Sequence, residues 1–340
     1  MRFSRTRAEV LAAALFLMLS GSSAPSAQAQ DAVPNSQTPL LAATEIVKID
    51  ASILDNRGNF IGGLTQANFH VLDNGAPQPI AKFAPVEAPA QIVVVIETSP
   101  AVYLIHDQHV AAAHALLEGL APDDQVALVT YDELPHPALA FTADKSAFLA
   151  ALNAMQFTIG MGNLNFYDSV SSVLSSLDPA AGKRALVILG TGLDSSPPAH
   201  WDALLRKLRA EDAVIFAVAL GGALRGGPSK NKKAKNSTAP AESAVDEQFA
   251  RADRALRSLA EITGGRAYFP QSENDFVPIY HEIASALRHQ YVLGIAPQHD
   301  GQFHKLTVEP LDASGQPMNA PAKKPAVRVF AREGYLAPAP

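Results

Sequence analysis

The chain of 340 residues has no cysteine. Disulfides, thiolate metal sites and cysteine nucleophiles are therefore excluded. Positive charge is also in short supply: 27 Lys and Arg face 33 Asp and Glu, a net charge of −6, which argues against non-specific binding to nucleic acid. Beyond the first thirty residues no apolar run approaches membrane-spanning length. Several catalytic signatures are missing as well. "GTGLDSS" (190–196) and "TIGMGNL" (158–164) each hold Gly-x-Gly, but neither completes G-x-G-x-x-G, and no G-x-x-x-x-G-K-[ST] occurs. No G-x-S-x-G elbow surrounds Ser99, Ser195 or Ser196, and His106, His109 and His114 lie on one helical segment without forming H-E-x-x-H. The expectation is a protein that is not an enzyme.

What is present begins with an export signal. Arg2, Arg5 and Arg7 precede the short apolar core "LAAALFLMLS", and Ala27-Gln28-Ala29 has the small-x-small form of a cleavage site. Cleavage after Ala29 would remove three arginines and one glutamate, taking the net charge from −6 to −8. Residues 1–29 are thus expected to be a signal peptide and 30–43 a linker, with the mature protein periplasmic or extracellular and without a transmembrane segment.

A hydrophobic content of 48% suffices for one large or two modest domains. Residues 44–85 read as three or four short antiparallel strands, with "DNRGN" and "DNG" as turns. From residue 90 to 289 short apolar runs alternate with helical segments. The expected order is strand 92–97, helix 107–119, strand 125–131, helices 145–155 and 166–177, and strand 184–190. Helix 201–210, strand 213–220, helix 247–262, strand 266–269 and helix 275–289 follow. This alternation indicates an α/β fold: a doubly wound, mainly parallel sheet flanked by helices. Residues 221–247, rich in Gly, Pro, Ser, Ala and Lys, read as a flexible insertion, with Lys230, Lys232, Lys233 and Lys235 as solvated charges. Residues 290–338 return to strands, expected to join those of 44–85 in a small β-rich accessory layer, since each set alone has too few strands for a core.

In such a sheet the ligand crevice lies beyond the carboxyl ends of the strands. There "IVVVIETSPA" (92–101) ends in Glu97, Thr98 and Ser99, a second loop precedes "FYDSV", and a third follows "RALVILG". Oxygen groups from three loops are what a hard cation such as Mg²⁺ requires.

The order of elements, together with "IVVVIETS", "DQVALVTYD", "NFYDSV", "RALVILGTGLDSS" and "EITGGRAYF", resembles von Willebrand factor A domains. With the β segments on either side, residues 44–338 resemble VWFA-related proteins. The resemblance implies a von Willebrand A-like fold and an adhesion site in which Mg²⁺ or Mn²⁺ is held by Asp-x-Ser-x-Ser, a Thr and an Asp, and accepts a partner's carboxylate. Position by position, those ligands correspond to Glu97, Ser99, Ala101, Leu164 and Thr191, so only Ser99 is unchanged. Asn163, Asn165 and Asp194 are the candidate substitute ligands. The substitutions lead to the expectation of a degenerate site without a cofactor, in which Glu97 is hydrogen-bonded to neighbouring loops.

The function expected is an exported, non-enzymatic module that binds a protein partner not identified by the sequence. Tyr103, Phe157, Phe166 and Trp201 are its candidate contacts, with core packing as the default for each. The alternatives are an adhesion module using a divalent metal with altered ligands, a serine-type hydrolase, and a structural envelope component.

Overall fold

The computed structural model describes residues 45–86, 89–103, 106–157, 162–177, 183–221, 240–318 and 327–340. The expected signal peptide and linker, the four lysines of the insertion and part of the second loop lie outside the described residues.

The central sheet is built from the apolar runs. Strands β5 (Ala90–Glu97), β6 (Gln125–Tyr131), β8 (Lys183–Gly190), β9 (Ala213–Ala219) and β10 (Ala267–Tyr268) pair in parallel, in the order β10-β9-β8-β5-β6. Their residues alternate between two cores. Ile92, Val94 and Ile96 pack beneath helices α2 (His106–Gly119), α3 (Lys145–Asn153) and α7 (Phe276–Arg288). Val93 and Val95 face the other side, under α4 (Phe166–Ser176), α5 (Pro198–Ala210) and α6 (Pro240–Thr263). Both faces of the sheet are covered, which is why its strands carry no polar alternation.

The structure differs from the sequence expectation in one added strand and in several element boundaries. An additional strand, β7 (Pro135–Thr142), pairs antiparallel with β6 and closes the sheet edge. Pro135 and Pro137 hide it in the sequence, and an edge is where a strand tolerates proline. Helix α5 starts at Pro198 rather than 201, because proline's fixed φ suits the first helical turn. Helix α6 starts at Pro240, so the last residues of the expected insertion are helical. A four-residue turn of helix, α1 (Pro100–Tyr103), follows β5.

The accessory layer comprises two four-stranded sheets. One has the order β13-β1-β11-β4, built from Val327–Phe330, Val47–Asp55, Gln290–Ile295 and Lys82–Val86. The other is β14-β12-β2-β3, built from Gly334–Leu336, Phe303–Pro310, Phe69–Asp73 and Ala76–Gln78. N-terminal and C-terminal strands alternate in the first sheet, and in the second the C-terminal pair β14-β12 joins the N-terminal pair β2-β3, so both sheets need both segments. The "DNG" turn joins β2 to β3 with Asn74 and Gly75 at φ 49° and 83°. Ile49, Ile53, Tyr291 and Leu293 of the first sheet share a core with Phe69, Val71, Leu306 and Val308 of the second. The layer also anchors to α7: Arg328 pairs with buried Glu282, which accepts a hydrogen bond from Tyr268 at 3.1 Å. Among the described residues no helix is long and apolar enough to cross a membrane.

His304 sits inside the second sheet's polar cluster. Its Nδ1 lies 2.6 Å from Asp73 Oδ1 and its Nε2 3.1 Å from the Asp300 carboxylate, while Tyr335 donates to Asp73 Oδ2 at 3.0 Å. The hydrogen bond to Asp73, opposed by desolvation and aided by Asp300, raises the His304 pKa above the ordinary imidazole value. A raised pKa contributes stability that is present below the unfolded value of about 6.5 and is lost as pH rises through the folded value. Urea unfolding of the wild type and His304→Gln should therefore differ most on the acid side, with the gap closing above neutrality. A gap independent of pH would remove the ionised imidazole from the account.

Candidate functional site

At the carboxyl end of β5 the apolar run gives way to a carboxylate that the pleat turns to the same face as Val93 and Val95. Glu97 is wholly buried. A buried carboxylate is tolerated only where donors meet it, and four converge here. Ser99 Oγ donates to Oε1 at 2.5 Å. Oε2 accepts the Thr191 backbone N–H at 2.6 Å, the Thr191 hydroxyl at 2.7 Å and the Tyr131 hydroxyl at 3.2 Å. Three chain segments are thereby tied to one side chain: the β5–α1 turn, the end of β6 and the β8–α5 loop. Space for the carboxylate comes from Gly190, the last residue of β8. A Cβ there would lie 2.5 Å from the Tyr131 hydroxyl and 2.9 Å from Glu97 Oε2.

The β8–α5 loop passes the connection onward. Ser195 N–H donates to Leu164 O at 2.7 Å, and Ser195 Oγ accepts from Leu164 N–H at 3.2 Å. Asp194 accepts the N–H groups of Tyr167 at 2.9 Å and Ser196 at 2.7 Å, satisfying an orphan donor in the first turn of α4. Asn165 donates through its backbone to Asp132 O at 3.0 Å and through Nδ2 to Glu133 O at 2.8 Å. The Asn163 N–H reaches Glu133 Oε1 at 3.3 Å.

Of the sequence-derived ligand set, the structure brings Glu97, Ser99 and Thr191 together. Asn165 and Asp194 are engaged with other partners, and Asn163 is held through its backbone to Glu133. Tyr131 was absent from the sequence-derived set, although its place at the end of the buried run "QVALVTY" puts it at the same sheet edge. The arrangement does not fit a divalent cation. Both Glu97 oxygens already accept hydrogens from side chains that would otherwise ligate, Ala101 and Leu164 bring no side-chain oxygen, and Mg²⁺ demands near-octahedral oxygen geometry. Among the described residues no group of three or more His, Asp or Glu side chains is placed to hold a metal ion.

The aromatic candidates separate. Phe166 is wholly buried against Tyr131, ring centroids 5.8 Å apart, and is a core residue that no partner reaches on the folded protein. Phe157 is half-buried against the α2–α3–α7 core. Trp201 is half-buried and lies 5.0 Å from the Tyr167 ring. The side chain of Tyr103 lies outside the described residues. Of the serine and histidine candidates, Ser99 donates to Glu97, and the side chains of His106 and His109 lie outside the described residues.

No protein-family profile matches this chain, and no curated protein does. Among solved structures it is similar to a von Willebrand factor type A protein from Catenulispora acidiphila, at 12% identity over 87% of this chain and 64% of that one, with a TM-score of 0.45. It is also similar to the vWF domain of the type V pili tip protein Mfa5 from Porphyromonas gingivalis, at 11% identity over 58% and 95% of the two chains, TM-score 0.41. A third is proximal thread matrix protein 1 from the mussel byssus, whose structure has a zinc-occupied MIDAS motif: 15% identity, 62% of this chain, 49% of that one, TM-score 0.44. The first two are named as von Willebrand A proteins, the family that the motifs resemble; at such identities the likeness says nothing about ligand or partner.

The hydrogen-bond arrangement ranks two substitutions. Glu97→Ala strands several buried donors and opens a cavity, and should cost at least about 3 kcal/mol. Tyr131→Phe removes the longest of the four bonds and leaves the carboxylate satisfied, so about 1 kcal/mol is expected. Denaturant unfolding checks the order; equal costs would mean that the carboxylate is not the centre of the arrangement.

Proposed function

We propose that this chain is an exported, non-enzymatic protein-binding module of von Willebrand A type, whose sheet top works without a metal ion. The observation that carries the reading is the saturation of Glu97 by Ser99, Tyr131 and Thr191. The methylene that distinguishes Glu from Asp extends the carboxylate to the β8–α5 loop directly. Side-chain and backbone hydrogen bonds then do the cross-linking that an ion performs in the family.

The consequence is a rim ordered before any partner arrives. Glu97 fixes Thr191, Ser195 pairs with Leu164, and Asn165 is held to the β6–β7 turn. Exposed Asn163 and Ser195 stand on that rim. A pre-ordered surface loses less entropy on association, so binding energy is not consumed in arranging loops. Export rests on the leader-like residues 1–29, and the non-enzymatic reading on the absence of catalytic signatures in the sequence.

Site-specific photo-cross-linking tests the proposal in producing cells. A cross-linking residue at Asn163 should give a discrete adduct that persists in EDTA, while one at exposed Gln316 in the accessory layer should not. An Asn163 adduct that needs Mg²⁺ or Mn²⁺ would restore the metal-dependent alternative. No adduct at Asn163 together with one at Gln316 would move the interaction to the accessory layer.

A further inference from the structure

Helix α6 presents a repeating face toward α4, α5 and the β8–α5 loop. Gln248, Arg251, Ala252, Arg254, Ala255 and Ser258 follow helical spacings of three and four, so they share one side. Ala252 and Ala255 are buried at the floor, and their small side chains leave open space above them. That space is a cleft of about 300 Å³ walled by Trp201, Tyr167 and Pro198 on one side and by Arg251 and Arg254 on the other. It adjoins a second cleft of about 240 Å³ that runs along Gly192, Leu193 and Asp194 to Gly162. The two share Tyr167, Asp194 and Arg251, and together they form one groove that reaches the loop held by Glu97.

The groove is lined by two arginines and one carboxylate. The arginine–carboxylate ion pairs among the described residues are Arg184–Glu211, Arg266–Glu282 and Arg328–Glu282. On α6 itself Arg257 is committed to the face of Phe269, its guanidinium carbon 4.0 Å from the ring centroid. Arg251 and Arg254 enter none of these pairs, and both are exposed in a protein of net charge −6. The one carboxylate in the groove, Asp194, is already taken by Tyr167 N–H, Ser196 N–H and the Ser196 hydroxyl. Across the cleft, the Tyr167 and Trp201 rings meet at 5.0 Å and 50°, an apolar shelf beside the guanidiniums.

From this we infer that the groove between α5 and α6 binds an acidic protein segment: carboxylates pair with Arg251 and Arg254 while a neighbouring apolar side chain lies on Trp201 and Tyr167. Guanidinium pairs offer bidentate geometry to carboxylates, and a ring shelf beside them supplies the desolvated contact that a surface ion pair alone lacks. Asp194 lies with Arg251 in both clefts while Arg254 lines only the first, so an acidic residue is favoured at the Arg254 side and disfavoured next to Asp194. The inference deepens the binding-module reading and rests on it, but it places recognition beside the sheet top and assigns it to two arginines in place of a metal.

Trp201 is the only tryptophan in the chain, so its emission reports on this groove without a label. The full chain is titrated with a synthetic peptide carrying adjacent glutamates next to a phenylalanine, and with the same peptide bearing glutamines. The glutamate peptide should shift Trp201 emission saturably and the glutamine peptide at least tenfold more weakly. About 1 M NaCl, where the Debye length falls to about 3 Å, should suppress the difference. The double variant Arg251→Glu, Arg254→Glu should lose at least tenfold in affinity; its substitutions are on an exposed helix face, and an unchanged thermal melt shows it folded. Equal affinity for the two peptides, binding that survives the double reversal, or no saturable change at all would each overturn the inference. So would a Trp201 response to phosphatidylglycerol vesicles in place of the peptide. If any of these occurs while the Asn163 adduct forms, the groove is wrong and the binding module stands.

Discussion

A strand buried on both faces cannot end in a carboxylate unless the surrounding loops supply its hydrogen bonds, and this constraint organises the top of the molecule. Glu97 is reached by one donor from its own turn, one from the end of β6 and two from Thr191. Because the Thr191 loop in turn engages Leu164 through Ser195 and α4 through Asp194, a single buried side chain sets the relative positions of three loops. The side chain is long enough to do so only because Gly190 leaves its path open. Asp at the same position would be one methylene shorter and would need an intermediary, which is the place an ion occupies in the family pattern.

The accessory layer answers a different constraint. The segments before and after the α/β region are each too short for a core, so they interleave: β1 pairs with β11 over one half of its length and with β13 over the other. Two sheets then share one core around Tyr291 and Phe69, whose rings lie 5.1 Å apart. Buried Glu282, held by Arg328 and Tyr268, fastens this layer to the α/β region. The polar cluster around His304 shows the same rule as the sheet top, with each buried polar group meeting a partner.

The parallel strands were legible in the sequence because short uninterrupted Ile and Val runs, alternating with helical segments, fit a sheet covered on both faces. Strand β7 was hidden by its two prolines, and the start of α5 by a Pro-Pro pair that reads as loop. The division of the accessory strands into two sheets depends on pairings more than 200 residues apart in sequence, such as β1 with β11, and no local pattern encodes it. At the site, comparison with a known ligand pattern brought out Glu97, Ser99 and Thr191 but not Tyr131, because a phenol does not belong to that pattern. Phe166 was a contact candidate only because it follows the second loop; its wholly buried ring takes the core packing that was the default for each aromatic. The α6 groove was not visible because it arises from helix spacing facing two other helices.

The central claim is that Glu97 holds the β8–α5 loop by direct hydrogen bonds and without an ion. Amide hydrogen exchange at Thr191, measured on the full chain in EDTA and again in excess Mg²⁺, tests it most directly. The account predicts slow exchange that Mg²⁺ does not change. Fast exchange in EDTA that slows on adding Mg²⁺ would contradict it, and would return the ion to the centre of the site.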